Sequence, residues 1–182
     1  MRDVQGDADY RNIPIKQVGV REMRWPVVLQ DKLKGTQSSV AKVSMAVDLP
    51  HDIRGTHMSR FIEVLQTMDK LSPDSLERML DTLKDRLEAK KAFMTFHFPY
   101  FIVKEAPVSS RQSTLDVDCT YWAEKGETFS LRMAVSVPIH TLCPCSKEIS
   151  EYGAHNQRAT ATVEVITKGF VWLEELVELA EA

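Results

Sequence analysis

The sequence has no apolar run approaching the roughly 20 residues that cross a bilayer, which argues against a membrane protein. Its first ten residues, MRDVQGDADY, contain no apolar core region, so no secretory signal is read there and a cytoplasmic protein is expected. Cysteines are scarce: three in 182 residues, an odd count. Cys143 and Cys145 stand too close for an easy unstrained bridge. In a reducing compartment such a pair is better explained by metal binding or catalysis than by disulfides. Basic residues are not in excess, with 23 Lys and Arg against 26 Asp and Glu and a net charge of −3. That argues against nonspecific nucleic-acid binding, which favours a basic face. A phosphate-bearing small molecule needs only a few local cations and is not excluded. Internal repeats and low-complexity segments are absent as well.

What is present is ordinary globular composition, 43% hydrophobic and 27% charged, long enough for one domain with a real core. Residues 1–36 mix prolines, glycines and scattered charge with little periodicity. They read as an N-terminal arm, with a short strand near Val27–Leu29. Residues 37–182 read as the catalytic domain. Ala41, Val43, Met45, Val47 and Leu49 alternate with mostly polar residues, the period-2 pattern of a half-buried strand that Pro50 ends. After a loop at 51–56, Met58, Phe61, Ile62, Leu65 and Met68 fall at helical spacing. A second helix should be capped by Ser72 and opened by Pro73, with Leu76, Met79, Leu80, Leu83 and Leu87 on its apolar face.

Residues 93–103 form an aromatic-rich strand, with Met94, Phe96, Phe98, Tyr100 and Ile102 on one side. A hairpin follows, turning at Glu124–Glu127 between Leu115–Tyr121 and a return strand over 128–139. Another strand is expected over 159–166, with Ala161, Val163 and Val165 inward, then a helix from Phe170. The class is α+β, with two helices on one face of an antiparallel sheet. The chain stops in an amphipathic helix without a Gly or Asn stop signal, so its C-terminal part is expected to be missing.

Chemistry concentrates between His140 and Arg158. Ser146 is expected to cap a short helix through Tyr152 that Gly153 closes in the left-handed region. Cys143 lies just before that helix, where positive partial charge suits a thiolate, the form that binds metal. His155 returns to the same place. Two ligands fall short of the three protein ligands plus open position of a catalytic zinc site. A Cys-x-Cys is also what two buried, functionless cysteines look like, and Pro144 with one histidine meets no zinc-finger spacing. Residue spacing therefore leads only to a metal or thiolate site.

Longer segments lead further. Gly55-Thr56-His57-Met58-Ser59-Arg60-Phe61, Cys143-Pro144-Cys145-Ser146-Lys147-Glu148-Ile149-Ser150 and Tyr152-Gly153-Ala154-His155-Asn156-Gln157-Arg158 resemble the signature segments of the type IB GTP cyclohydrolases. Arg11 to Val20 and Gly35-Thr36-Gln37 resemble that family's N-terminal region. The resemblance covers essentially the whole chain. It implies a tunnelling fold, here a first module and the start of a second, assembled as a ring-like homo-oligomer, a tetramer. It implies a metal-dependent reaction that takes GTP and water to 7,8-dihydroneopterin triphosphate and formate, the first step towards folate and queuosine-type bases. It assigns Cys143 and His155 as metal ligands, Cys143 being the catalytic thiol, and a divalent zinc, iron or manganese as the metal. The third ligand, a glutamate, would lie past residue 182 with a guanine-anchoring glutamate and a His-x-His pair, so the 182 residues alone should be inactive.

His57, Ser59 and Arg60 open the first helix, where a helix N-terminus attracts phosphate. They are candidates for substrate binding or a subunit interface. The alternative is that His57 caps the helix and Arg60 pairs with Glu63 or Asp52. Lys147 and Arg158 are the cations near the metal segment that could hold triphosphate, or else solvated charges. His140 is a candidate neighbour of the metal ligands, and Cys145 is read as a neighbour rather than a ligand. Cys119 and the Met58/Met68/Met79 stripe are read as core, and His97 as a surface histidine. Two rival functions stand: a tunnelling-fold nitrile reductase with Cys143 or Cys145 as nucleophile, or a non-catalytic oligomerising fragment.

Overall fold

A computed structural model of the chain describes residues 14–49, 51, 55–106, 108–153, 155–167 and 169–182. The expected terminator Pro50, residues 52–54 of the 51–56 loop and residues 1–13 of the expected arm lie outside them. The alternation that starts at Ala41 builds β2 (Gly35–Leu49), with Ala41, Val43, Met45, Val47 and Leu49 all buried. Its partner is β1 (Ile15–Asp31), a strand of 17 residues where the sequence suggested an irregular lead-in. The reason is a β-bulge. Val20 pairs with Met45 and Met23 with Val43, so Arg21 and Glu22 together oppose Ser44. Apolar positions are even before the bulge (Val18, Val20) and odd after it (Met23, Trp25, Val27, Leu29). One inserted residue flips the inward side and hides the period. Residues 15–31, read as part of the N-terminal arm, form a strand of the sheet.

The remaining strands are β3 (Ala92–Glu105), β4 (Gln112–Lys125), β5 (Phe129–Leu142) and β6 (Asn156–Thr167). They form one sheet in the order β1-β2-β3-β4-β5-β6, each pair antiparallel. The β4–β5 ladder continues to Lys125↔Phe129, so the hairpin loop is Gly126-Glu127-Thr128, one residue tighter than the expected turn.

Helix α1 (Met58–Leu65) and helix α2 (Pro73–Leu87) cover one face, as the α+β reading expects. Ser72 caps α2 as expected. Its hydroxyl accepts from Ser75 N at 3.3 Å while Ser72 N donates to Ser75 Oγ at 3.0 Å, a reciprocal box. Helix α4 (Leu173–Glu181) joins the same face through Leu173, Leu176 and Val177, making three core-facing helices rather than two. A single core results, with Phe61, Leu80, Leu83, Phe96, Phe98 and Cys119 fully buried. Of the methionine stripe, Met79 is core and Met68 packs against it, while Met58 is exposed. Among the described residues, no helix is long and apolar enough to cross a membrane.

Side-chain bonds finish the end of the sheet near the β1–β2 turn. The Asp31 carboxylate accepts from Leu33 N at 2.9 Å, Lys34 N at 2.7 Å and Gln37 Nε2 at 3.2 Å. Burial pushes this carboxyl up, but bonds from the Lys34 and Leu33 N–H groups and the Gln37 amide outweigh burial and hold it below its ordinary value. A carboxyl with a depressed folded value stabilises the fold fully above its unfolded value, near pH 4, and loses that contribution as pH falls through the folded value. Asp31→Asn should cost about 1–2 kcal/mol at pH 7. It should also flatten the loss of thermal stability between about pH 5 and pH 2, measured by thermal unfolding; an unchanged acid limb would contradict the assignment. Tyr100 OH, donating to Glu174 Oε1 at 2.6 Å, and Lys32 N, donating to the same oxygen at 2.8 Å, tie α4 to this end.

Candidate metal centre

The β5–β6 ladder decides where the signature cysteine and histidine fall. Its last rungs are His140↔Arg158, Thr141↔Gln157 and Leu142↔Asn156. Cys143 is the next residue on one strand and His155 the preceding residue on the other, so the two flank the open end of the ladder, twelve positions apart in sequence but opposed in space. The chain between them is a short helix α3 (Pro144–Ile149) and a turn that brings it back. Cys143, not Ser146, is the N-cap, with an extended backbone (φ −66°, ψ 121°) and no side-chain capping bond. Pro144 takes the first helical position, which suits its fixed φ. The carbonyl of Cys143 accepts from Ser146 N at 3.1 Å and Lys147 N at 3.2 Å. The helix stops at Ile149, short of Tyr152, and the turn is closed by Gly153, left-handed at φ +76° as expected. A Cβ there would lie 3.4 Å from Leu142 and 3.5 Å from Ser146 Oγ.

The two candidate ligands differ in exposure. Cys143 is buried at 9%, whereas His155 and Cys145 are exposed. Among the described residues, the ring of His155 makes one long 3.5 Å contact, from Nδ1 to the Asn156 carbonyl. A thiol and an imidazole carried by the two residues that flank a ladder end are a donor set suited to a borderline divalent metal. They supply two ligands. No cluster of three or more His, Cys, Asp or Glu suited to a metal exists among the described residues. The residues present therefore fit a metal but do not complete its shell.

The other candidates distribute unevenly. Lys147 is exposed on α3, beside Cys143 in sequence. Arg158 is exposed opposite His140, and both carry the parity of Arg132 and Ser136 on the sheet face without helices. The core side of β5 and β6 carries the odd positions, to which Cys143 and His155 belong. His140 is therefore set apart from the two ligands, against its reading as their neighbour. Cys119 is core as read. His97 is exposed as read, with Nδ1 2.9 Å from Thr120 Oγ1.

His57, Ser59 and Arg60 lie elsewhere. α1 starts beyond the end of β2, and β5 runs opposite to β2, so Cys143 leaves the sheet at its other end. α1 packs beside β1, across the sheet from β5 and β6. His57 is the N-cap but makes no side-chain capping bond. Arg60 bonds through Nη1 to the Arg86 carbonyl near the α2 C-terminus, and Glu63 pairs instead with Arg86 at 2.9 Å. Arg60 thus satisfies an orphan carbonyl at the negative end of a helix. One residue of this segment escaped the sequence reading: Thr56, 7% exposed, whose buried Oγ1 has no hydrogen-bond partner among the described residues. Its place in the Gly55–Phe61 segment was the available signal.

Residues 1–182 match a protein family described as Type I GTP cyclohydrolase folE2. The chain belongs to the GTP cyclohydrolase FolE2 family. GTP cyclohydrolase FolE2 of Caldicellulosiruptor saccharolyticus is 52% identical over 182 residues, which cover all of this chain and 71% of that relative. GTP cyclohydrolase FolE2 of Thermotoga maritima is 52% identical over 181 residues, covering 100% of this chain and 70% of the relative. The Geotalea uraniireducens protein of the same name is 47% identical over 182 residues, covering 100% and 67%. Membership in the FolE2 family agrees with the GTP cyclohydrolase resemblance read from the sequence.

Proposed function

We propose that this chain carries the metal-binding part of a type IB GTP cyclohydrolase with a tunnelling fold, which converts GTP and water to 7,8-dihydroneopterin triphosphate and formate in the cytoplasm. The observation that carries the reading is the register that opposes Cys143 and His155, in a chain about half identical over its full length to FolE2 relatives. A divalent zinc, iron or manganese ion would be held by these two residues and by a glutamate beyond Ala182. It would supply Lewis acidity and an activated water for attack at C8 of the purine. The chain's own part is to hold the thiolate on a rigid ladder end and to present the imidazole from the returning strand. Lys147 and, from the first helix, Ser59 and His57 are the groups offered to the triphosphate. Because those two sets lie at opposite ends of one subunit, a shared substrate would join them across a homo-oligomer, for which a tetramer is the expected form. Arg60 and Arg158 fit this role less well, one being bonded to α2 and the other facing the opposite side of the sheet.

The test is formate release from GTP by the full-length protein that carries the proposed third ligand past Ala182, residues 1–182 alone being expected to release none. It should be abolished by a chelator and restored by added zinc, manganese or ferrous ion. Metal-independent oxidation of NADPH with a nitrile substrate would instead support the nitrile reductase, and oligomers without either activity would support the non-catalytic fragment.

A further inference from the structure

Helix α4 is fastened to the sheet by polar bonds as well as by Leu173, Leu176 and Val177. At its start, Glu174 Oε1 accepts from Tyr100 OH at 2.6 Å and from Lys32 N at 2.8 Å. Beside it, Lys32 Nζ pairs with Glu175 Oε1 at 3.1 Å. At its end, Lys104 Nζ pairs with Glu181 Oε2 at 2.5 Å. Tyr100 and Lys104 stand four positions apart on β3, about 13 Å along a strand. Glu174 and Glu181 stand seven apart on α4, about 10 Å along a helix. The two spans nearly match, so α4 runs alongside β3 and in the direction of β3.

That direction leads to the metal centre. β3 and β5 are both antiparallel to β4, so Glu105 and Leu142 mark the same end of the sheet. Cys143 follows Leu142, and His155 lies opposite it, both with core-side parity. α4 packs on that same core side. The chain therefore reaches Ala182 on the face, and at the end, that carry the two candidate ligands.

The bond at the start of α4 is not an incidental surface contact. Tyr100 is 1% exposed. Burial and then the Glu174 carboxylate raise its hydroxyl well above the ordinary value, which keeps it a donor. Glu174 Oε2 is buried without a hydrogen-bond partner among the described residues. Oε1 therefore carries the bonding of the whole carboxylate. Without Tyr100 OH, the Lys32 N–H alone would hold it, which favours release of the helix.

We propose that Tyr100, Lys32 and Lys104 are positioning residues for the metal centre, docking α4 so that the segment after Ala182 is delivered to Cys143 and His155. This rests on the proposed function, in which a glutamate past Ala182 completes the shell of the metal. The three residues act through the helix, not as ligands. Metal binds the docked fraction of the protein, so its apparent affinity falls as that fraction falls. The coupling is reciprocal: bound metal holds α4 down by the same factor.

Zinc affinity of the full-length protein, measured by competition with a chromogenic chelator, tests this. Tyr100→Phe keeps the ring and its packing, and Lys104→Gln changes a surface ion pair, so both should fold, as circular dichroism checks. The two changes combined should weaken zinc binding by about tenfold or more, whereas Lys104→Arg, which keeps the ion pair, should bind as wild type. Lys125→Gln removes a comparable 2.5 Å ion pair, with Glu77, at the opposite end of the sheet and should leave zinc affinity unchanged. Hydrogen exchange gives a second readout: zinc should slow the α4 amides in wild type and not in Cys143→Ala. If Cys143→Ala loses its zinc, three results would each overturn the proposal: wild-type affinity in the combined variant, an equal loss in Lys125→Gln, or α4 exchange indifferent to zinc. Zinc retained by Cys143→Ala would instead overturn the metal-centre reading beneath it.

Discussion

In the full-length protein that supplies the third ligand, Cys143→Ala should abolish bound metal and lower formate release by at least about a thousandfold. The magnitude follows from the chemistry: a site with only three protein ligands loses its grip and its geometry together when the buried thiolate goes. His155→Ala should have the same direction with a smaller loss of metal, because its exposed ring is held by a single long contact. Cys145→Ala should keep its metal, since that side chain is exposed on α3, three positions past the ladder end. Metal content by mass spectrometry, alongside circular dichroism to show that the fold persists, checks all three. Equal metal in wild type and Cys143→Ala would sink the ligand assignment.

The second large effect concerns stability rather than chemistry. Gly19→Ala adds one methyl group where the Met45 carbonyl oxygen would be 1.9 Å away and the Ala46 Cα 2.7 Å away. Both obstacles are backbone, which cannot step aside as a flexible side chain does. Overpacking of this kind costs about 3 kcal/mol, which for a chain of this size lowers the melting temperature by about 10 °C. Gly35→Ala is a useful contrast. Nothing lies within 4 Å of a Cβ at Gly35, so its cost would come only from φ +79°, about 1 kcal/mol. Thermal unfolding of the two variants should rank them in that order; equal melting temperatures would show that β1 and β2 separate freely at Gly19.

The outcome for each element traces to how local its signal was. The α2 cap at Ser72 and the inward sides of β2, β3 and β5 were legible, because capping and alternation are written within a few residues. β1 was not, since a bulge that a single strand cannot reveal reverses the parity of its apolar positions. Arg60 was misplaced for a related reason: its partner, the Arg86 carbonyl, is 26 residues away and is a backbone atom. The pair Cys143 and His155 was named from segment likeness, yet the opposition of the two across the ladder end comes only from the β5–β6 register. The hollow on the helix-free face, lined by residues of all six strands with Gly19 and Trp122 more than a hundred residues apart, could not be read at all.

The ladders are unequal in length. β3 and β4 pair from Ala92↔Lys125 to Glu105↔Gln112, whereas β2 and β3 pair only from Lys42↔His97 to Val47↔Ala92. Further along, Gln37 and Ser39 reach across with side-chain bonds to Phe101 and Pro99. This is also the junction with the long excursion through α1 and α2, so its closure carries the largest chain-entropy cost of any neighbouring pair. The sheet therefore consists kinetically of two blocks: the β1–β2 hairpin on one side and the β3-to-β6 meander on the other. Amide protons along the β2–β3 seam should exchange through an opening that leaves both blocks intact.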